Sequence, residues 1–434
     1  MNQYDVIIVG GSVAGASTAM LLARRGYHVL LLDKQIFPRD TNSTHFIWPR
    51  GFSYLKRWGI ADELTTKVPC CREMNLNIEG INLTGSVPID DLKQRFTHLH
   101  GDADYLTDQY MGPRRHFLDH ILINNAEKSG AKVHQGCNFE EVIMENNRVI
   151  GVRYKNANNT HYKAYAKIVI GADGRYSKVA KQVGAEIIDY RALSTFAYYG
   201  YFSGITQPQL DIHKKGRLGT AIYPTMDDTQ MVLVYGPNAW WDDFRKNTEQ
   251  NFYATYDYCD PEMGEKIRAG KREEKFKACG SMSAFKRQLF GQGWVLIGDA
   301  CSFKDQVSAM GITHAFRDAE LLTSHLDQGL SGDIPLYKSL TDYEKVRAFD
   351  YDEYFDLVCQ VAEMNPYSKE DLKQIYHIQK DQNKINEMIS QFGDTKSLST
   401  ANPVENQKNT NIIYPEYIHQ YDIEKYHYKE NIYL

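Results

Sequence analysis

The stretch Tyr4-Asp5-Val6-Ile7-Ile8-Val9-Gly10-Gly11-Ser12-Val13-Ala14-Gly15 decides the fold. Its first six residues form an apolar, β-branched run that stops at a glycine pair. Ala16, Ala19, Met20, Leu22 and Ala23 then recur at helical spacing, and His28 to Asp33 is a second apolar strand. Strand, glycine turn, helix and strand make a βαβ unit. A dinucleotide-binding turn needs glycine where the strand reverses, a small residue where the backbone meets the pyrophosphate, and a glycine for close helix packing. Gly10, Ser12, Val13, Ala14 and Gly15 supply these, with Ser12 in the middle position. Helix-terminal N–H groups then face the phosphates. Asp33, followed by Lys34, stands at the end of the second strand, where a carboxylate accepts hydrogen bonds from the adenosine ribose. Read alone, the turn also fits a NAD-dependent dehydrogenase or a Rossmann domain that holds no ligand.

Working outward, Lys167 to Gly171 and Trp294 to Ile297 share the continuous apolar character of strands buried on both faces of a parallel sheet. Between them the texture changes. Ser194 to Ile205 is rich in aromatics (Phe196, Tyr198, Tyr199, Tyr201, Phe202), and Leu218 to Tyr235 reads as two strands around a turn at Pro224 to Asp228. An inserted antiparallel sheet follows, and the nucleotide-binding domain is discontinuous. From about Tyr337 the pattern is polar and helical, and the Tyr-rich tail is expected to dock. The expected fold class is α/β: a Rossmann-like domain over 1–75, 101–185 and 278–330, an antiparallel β-sheet substrate domain over 76–100 and 186–277, and a C-terminal helical region and tail over 331–434.

Two further loops follow buried strands. One is Gly171-Ala172-Asp173-Gly174-Arg175-Tyr176-Ser177-Lys178-Val179. The other is Gly298-Asp299-Ala300, leading through Lys304-Asp305-Gln306 to Met310-Gly311-Ile312 at the start of a helix expected to end near Thr323. In order and spacing the three motifs resemble the group A flavoprotein monooxygenases of the para-hydroxybenzoate hydroxylase fold, and the related geranylgeranyl reductase and flavin halogenase branches. The resemblance covers roughly residues 4 to 325. It implies tightly bound FAD, with Asp173 and Gly174 beside the pyrophosphate and Asp299, after Gly298, on a ribityl hydroxyl. Gly311 and Ile312 would open a helix whose amides face the flavin N1/O2 edge, where negative charge gathers on reduction. Arg114 or Arg115, within Pro113 to Asp119, matches the family's arginine near the phosphates. The family usually has proline where Gln306 stands, and often Gln or Glu where Met310 stands.

The segment Phe37-Pro38-Arg39-Asp40-Thr41-Asn42-Ser43-Thr44-His45 resembles the stretch that runs under the flavin ring. His45 is the candidate catalytic residue, as a donor to an oxyanion or a proton shuttle; the competing reading packs it against Trp48. The aromatics from Tyr198 to Phe202 either line a substrate pocket or form ordinary core. Lys271 to Lys275 reads as a solvated helix face.

One complete fingerprint leaves room for one resident dinucleotide, so NAD(P)H is expected to visit transiently. The resemblance then implies a monooxygenase that passes hydride from NAD(P)H to FAD and inserts oxygen from dioxygen into an aromatic or hydrophobic small molecule. Reduction of an alkene or prenyl-type chain is the alternative enzyme, and a flavin-binding protein without turnover is the alternative from another class. Halogenation is disfavoured: the W-x-W-x-I-P segment of the tryptophan halogenases is absent, and Trp240-Trp241 stands isolated.

Composition narrows the partners. With 434 residues, 42% hydrophobic and 24% charged, the chain can bury a large core. Its formal charge of −5 offers no general attraction to nucleic acid. No apolar run reaches the roughly 18–20 residues that cross a bilayer, and no export signal precedes Tyr4, so a cytoplasmic monomer or homodimer is expected. Seven cysteines without C-x-x-C spacing read as reduced, buried small hydrophobes. No metal site is expected, since the 14 histidines show no H-E-x-x-H or comparable cluster.

Overall fold

The computed structural model describes residues 3–100, 104–192 and 194–394. The expected docking of the tail past 394 lies outside these residues. They form two compact units, the first comprising Met1–Thr66, Pro113–Ala192 and Ser283–Asp356. The second comprises Lys67–Gly112 with the described residues of 193–282 and 357–434.

In the first unit the strand Gln3–Val9 lies between His161–Gly171 and Val29–Leu32, parallel to both, with Ile8 opposite Ile170 on one side and Leu31 on the other. Trp294–Leu296 extends the parallel set beyond His161–Gly171, and Lys132–His134 extends it beyond Val29–Leu32. Val6, Ile7, Ile8, Ile168, Val169 and Ile170 are fully buried, as strands covered on both faces must be. The N-terminal half of His161–Gly171 turns instead to antiparallel pairing with Arg148–Lys155. The helix Val13–Arg24 packs against both Arg115–Lys128 and Gly311–Ser331.

Helix Gly311–Ser331 runs past the expected end at Thr323 because nothing breaks it until Gly332, which takes a left-handed φ of 91°. A buried ion network anchors it. The Arg317 Nη2 lies 2.8 Å from Asp318 Oδ1, and Arg347 Nη2 lies 3.1 Å from Asp318 Oδ2. Arg347 also donates to Ser302 Oγ, tying the helix to the chain just after Gly298-Asp299-Ala300. Burial alone would raise the Asp318 pKa, but Arg347 and Arg317 outweigh it and hold the carboxyl well below the usual range.

The second unit holds the antiparallel sheet. Its order is Lys271–Arg272, Thr195–Ser203, Gln230–Pro237, Leu218–Pro224, Leu210–Lys215, Met74–Ile78 and Ile81–Gly85, with Lys277–Cys279 also paired to Thr195–Ser203. The strand Leu210–Lys215 runs parallel to Met74–Ile78, the exception in an otherwise antiparallel arrangement. Phe196, Tyr198 and Phe202 pack on helices Trp241–Phe244 and Thr248–Cys259 in a buried aromatic cluster, so on that face the aromatic strand is core. Tyr256 donates to the carbonyls of Ala221 and Leu233 from the same side.

Three readings of the sequence change. Lys271-Arg272 is an edge strand paired with Phe202-Ser203, not a helix face; two residues of ladder outweigh a charge pattern that fits either state. Residues 67–112 lie together in the second unit, because Cys70–Cys71 pairs with Tyr110–Met111 and the Tyr110 hydroxyl both donates to the Glu73 carbonyl and accepts from Leu210 N. The helical region beyond 331 is divided: the first unit extends to Asp356, while Gln382–Phe392 packs on strand Ile81–Gly85 of the second.

Removing the Asp318 carboxylate should take from two buried guanidinium groups the anion they share. We expect Asp318→Ala to cost about 3–5 kcal/mol, read from urea unfolding of the variant against the parent. The same carboxylate has its folded pKa depressed, so its contribution should be full above the unfolded value near 4 and fade as pH falls below it. A Cm that is unchanged by the substitution contradicts this.

Candidate functional site

The three loops meet through contacts that only small residues permit. Gly10 has a φ of 105°, and a Cβ there would lie 2.3 Å from the Ala172 carbonyl oxygen, so the first loop sits directly on the second. A Cβ at Gly15 would lie 1.8 Å from the Gly10 carbonyl oxygen, which locks the helix start under the strand end. A Cβ at Gly298 would lie 3.0 Å from Ala14 Cβ, which places the third loop on the first. Arg287 closes the set by donating to the Ala300 carbonyl at 3.1 Å and the Arg175 carbonyl at 3.3 Å.

Within this frame Asp33 is buried and occupied. Its Oδ2 accepts from Gly11 N at 2.6 Å and its Oδ1 from Gln35 N at 2.7 Å, so it braces the turn while presenting its remaining lone pairs. Lys34 beside it is exposed. Ser12 precedes the helix Val13–Arg24, but its side chain does not cap it. The Ser12 hydroxyl instead donates to Asp119 Oδ2 at 2.9 Å and receives a hydrogen bond from Arg115 Nη2. Arg115 is held by Asp119 through Nε and Nη2, both at 2.9 Å. Burial works against its charge, yet Asp119, Asp299 and Asp40 outweigh it and raise its pKa further. Arg114 turns away to Asp40, 3.0 Å from its Oδ2. Of the two arginines, Arg115 is therefore the one at the glycine turn.

Asp173 serves its own loop. It accepts from Ser177 Oγ, Lys178 N and Val179 N, capping the start of Lys178–Gln182, and burial raises its pKa against those hydrogen bonds. Gly174, at a φ of 80°, has open space where a Cβ would stand. Asp299 is reachable by water yet surrounded by protein: burial raises its carboxyl pKa against the pull of Lys304, Arg115 and Arg175. Gly311 is exposed, and a Cβ built on it meets nothing within 4 Å. Met310 before it gives the helix no side-chain cap, so no side chain of that residue occupies the first-turn amides around Gly311 and Ile312, the kind of group that binds anions.

His45 is buried in a left-handed conformation with φ 42°, its amide donating to Ser43 Oγ. Next to it Trp48 ties this segment to the loop before Gly311: its Nε1 donates to the Ser308 carbonyl and its backbone N–H to Thr313 Oγ1. Its ring meets Phe46 edge-on at 5.1 Å. Cys301 is buried and its thiol pKa is pushed up to about 11, so it stays protonated. Sequence reading missed Asp119 and Arg287. Asp119 carried a signal, lying four residues after Arg115 on one helix face; Arg287 carried none.

The arrangement has open space at Gly311, an exposed carboxylate at Asp299, a fixed cation at Arg115 and two helix starts without side-chain caps. These donors fit a long dianionic dinucleotide with a polar linker. A family profile described as FAD binding domain matches residues 3–348. The chain is similar to a tryptophan 2-halogenase of Chondromyces crocatus, 23% identical over 84% of this chain and 69% of that one. It is also similar to a 2,4-dichlorophenol 6-monooxygenase of Delftia acidovorans, 28% identical over 42% of this chain and 31% of that one. Among solved structures, a flavin-dependent brominase superposes with a TM-score of 0.76 at 18% identity, covering 99% of this chain and 100% of that one. With four-fifths of its length matched, the chain belongs to the FAD binding domain family of flavin-dependent oxidoreductases.

Proposed function

We propose that this flavoprotein is an NAD(P)H-dependent monooxygenase that inserts an oxygen atom from dioxygen into an aromatic or hydrophobic small molecule. The observation that carries the proposal is the close meeting of the three glycine loops, with Arg115 bound to Ser12 at the first and open space for a side chain at Gly311 after the third. FAD bound there supplies the redox chemistry, accepting hydride and activating dioxygen.

The chain's own residues bind, orient and shield. The amides of Val13, Ala14 and Gly15, with Arg115 bound to Ser12, would hold the pyrophosphate, and Gly174 and Asp173 would help to line its site. Asp33 accepts from the ribose, with Lys34 at the rim, and Asp299 takes a ribityl hydroxyl. Gly311 and Ile312 stabilise charge at the N1/O2 edge at no reorganisation cost. Arg114 supports the loop through Asp40 rather than touching phosphate. His45 would hold or move a proton near the ring. The nicotinamide cofactor would visit only in transit.

An aromatic substrate is supported by the tyrosines on the other face of the antiparallel sheet. Tyr199 and Tyr201 meet edge-on at 6.2 Å, and both act on Tyr223, whose phenol burial holds well above its ordinary pKa. The Tyr223 phenol therefore stays protonated across the physiological range. The 2,4-dichlorophenol 6-monooxygenase among the relatives points the same way. The tryptophan 2-halogenase and the brominase favour a second reading, halogenation, whereas the missing W-x-W-x-I-P segment argues against it.

Purified holoprotein given NADH or NADPH and a panel of phenolic and polycyclic compounds should consume nicotinamide and dioxygen together and yield a product one oxygen heavier by mass. Flavin that neither nicotinamide reduces would overturn the proposal. Turnover that persists without dioxygen would replace it with alkene reduction, and a product that gains bromine or chlorine only when halide is added would replace it with halogenation. Separately, Arg115→Gln should weaken FAD binding by about tenfold to a hundredfold, while Arg114→Gln, which removes the partly buried pair with Asp40, should change it by less than about threefold. Equal effects would remove the assignment of Arg115 to the phosphates.

A further inference from the structure

Within the second unit, far apart in sequence, Asp211, His213 and Asp260 bring one ligand atom each to within 4.8 Å of one another. Asp211 and His213 stand on the same face of strand Leu210–Lys215, and Asp260 sits at the junction of helices Thr248–Cys259 and Pro261–Ala269. The His213 Nε2 is 3.2 Å from Asp211 Oδ1 and 3.4 Å from Asp260 Oδ2. The three side chains are 13–14% exposed, mostly desolvated but reachable from water.

The hydrogen bonds around the cluster fix what Nε2 can be. The His213 Nδ1 lies 3.1 Å from the Cys259 carbonyl, which only accepts, so Nδ1 carries a hydrogen. A neutral ring would then turn the Nε2 lone pair on two carboxylates, which is repulsive; something positive must lie between them. A proton fits poorly. One N–H shared between two oxygens makes two weak, bent bonds, and both separations exceed the roughly 2.7–2.9 Å of a charge-assisted N–H···O⁻ bond. A divalent cation fits better. Zinc bonds nitrogen and oxygen at about 2.0–2.2 Å, so neighbouring ligand atoms of its tetrahedron stand about 3.3–3.5 Å apart.

The surroundings match those of a metal site. A ligating imidazole usually gives its other N–H to a carbonyl, as His213 does to Cys259. Asn75 Nδ2 donates to Asp211 Oδ1 at 2.7 Å, and Met263 N donates to Asp260 Oδ1 at 3.2 Å, orienting both carboxylates and leaving Asp260 Oδ2 toward the ring. We propose that Asp211, His213 and Asp260 form a zinc-type divalent metal site, with a fourth position for water, that staples strand Leu210–Lys215 to the helix junction at Asp260. The site is independent of the flavin reading. Fold convergence rather than spacing reveals it, since Asp-x-His and a lone Asp form no recognisable metal motif.

The test uses the full chain, stripped with chelator and dialysed against micromolar zinc sulfate, with zinc per chain measured by atomic emission. The wild type should hold one zinc more than His213→Gln and one more than Asp211→Asn, each shown folded by its circular dichroism. Cobalt in place of zinc should give visible bands to the red of the flavin absorption in the wild type alone, and zinc should raise the Tm of the wild type alone. Equal zinc in wild type and both variants, or no zinc in any of them, would overturn the proposal and leave His213 as an imidazolium bridge. A Tm indifferent to zinc counts against it in the same way.

Discussion

The structure of the first unit turns on one steric constraint: the strand Gln3–Val9 must reverse into the helix Val13–Arg24 with almost no room. A Cβ at Gly15 would overlap the Gly10 carbonyl, and a Cβ at Gly10 would overlap that of Ala172. Because the backbone comes so close, the helix start is held at the C-terminal edge of the parallel sheet, where ligands of such sheets bind. Gly298 then fits against Ala14, and the second and third loops are joined by Arg287. Backbone proximity, rather than any single side chain, makes three distant stretches of chain into one surface.

Charge is arranged around that surface in two layers. In the inner layer Arg115 is fixed by Asp119 and touches Ser12, so the cation is in place before any phosphate arrives, and little ordering entropy is lost on binding. In the outer layer Asp318 is held between Arg317 and Arg347, and Arg347 reaches Ser302 just beyond Asp299. A buried ion pair of this kind is weak as a source of stability but strong as a constraint on position. It keeps the start of Gly311–Ser331 and the Asp299 loop at a set distance from each other. The second unit is organised differently, by aromatic packing on one face of its sheet and a cluster of phenols on the other.

Much of this was legible in the sequence, and the reasons differ by element. Val6 to Val9, Ile168 to Ile170 and Val295 to Leu296 announced a parallel sheet because burial on both faces leaves an unbroken apolar run. The glycine loops were legible because close backbone approach excludes other residues. The choice between Arg114 and Arg115 was not, since neighbours on a helix start point about 100° apart and only the packed helix shows which one meets Ser12. Arg287 was invisible because its acceptors are backbone carbonyls, which every residue has. The Asp211, His213 and Asp260 cluster was hidden for a related reason: sheet register and a helix junction bring them together, and neither leaves a spacing to read. Lys271-Arg272 shows the opposite failure, where a charge pattern fitted a helix and the ladder with Phe202-Ser203 prevailed.

The central claim, that the cradle at Gly311 is shaped by a bound flavin rather than by protein packing, can be tested at that residue. A Cβ at Gly311 meets nothing within 4 Å beyond its own turn of helix, so a small side chain there should leave the fold intact. The decisive measurement is a titration of flavin-free Gly311→Val and of the parent with FAD, followed by quenching of flavin fluorescence. The account predicts one FAD per chain in the parent, at least about tenfold weaker binding in the variant, and the same melting temperature for the two flavin-free proteins. A parent that quenches nothing, or a variant that binds FAD as tightly as the parent, would contradict it.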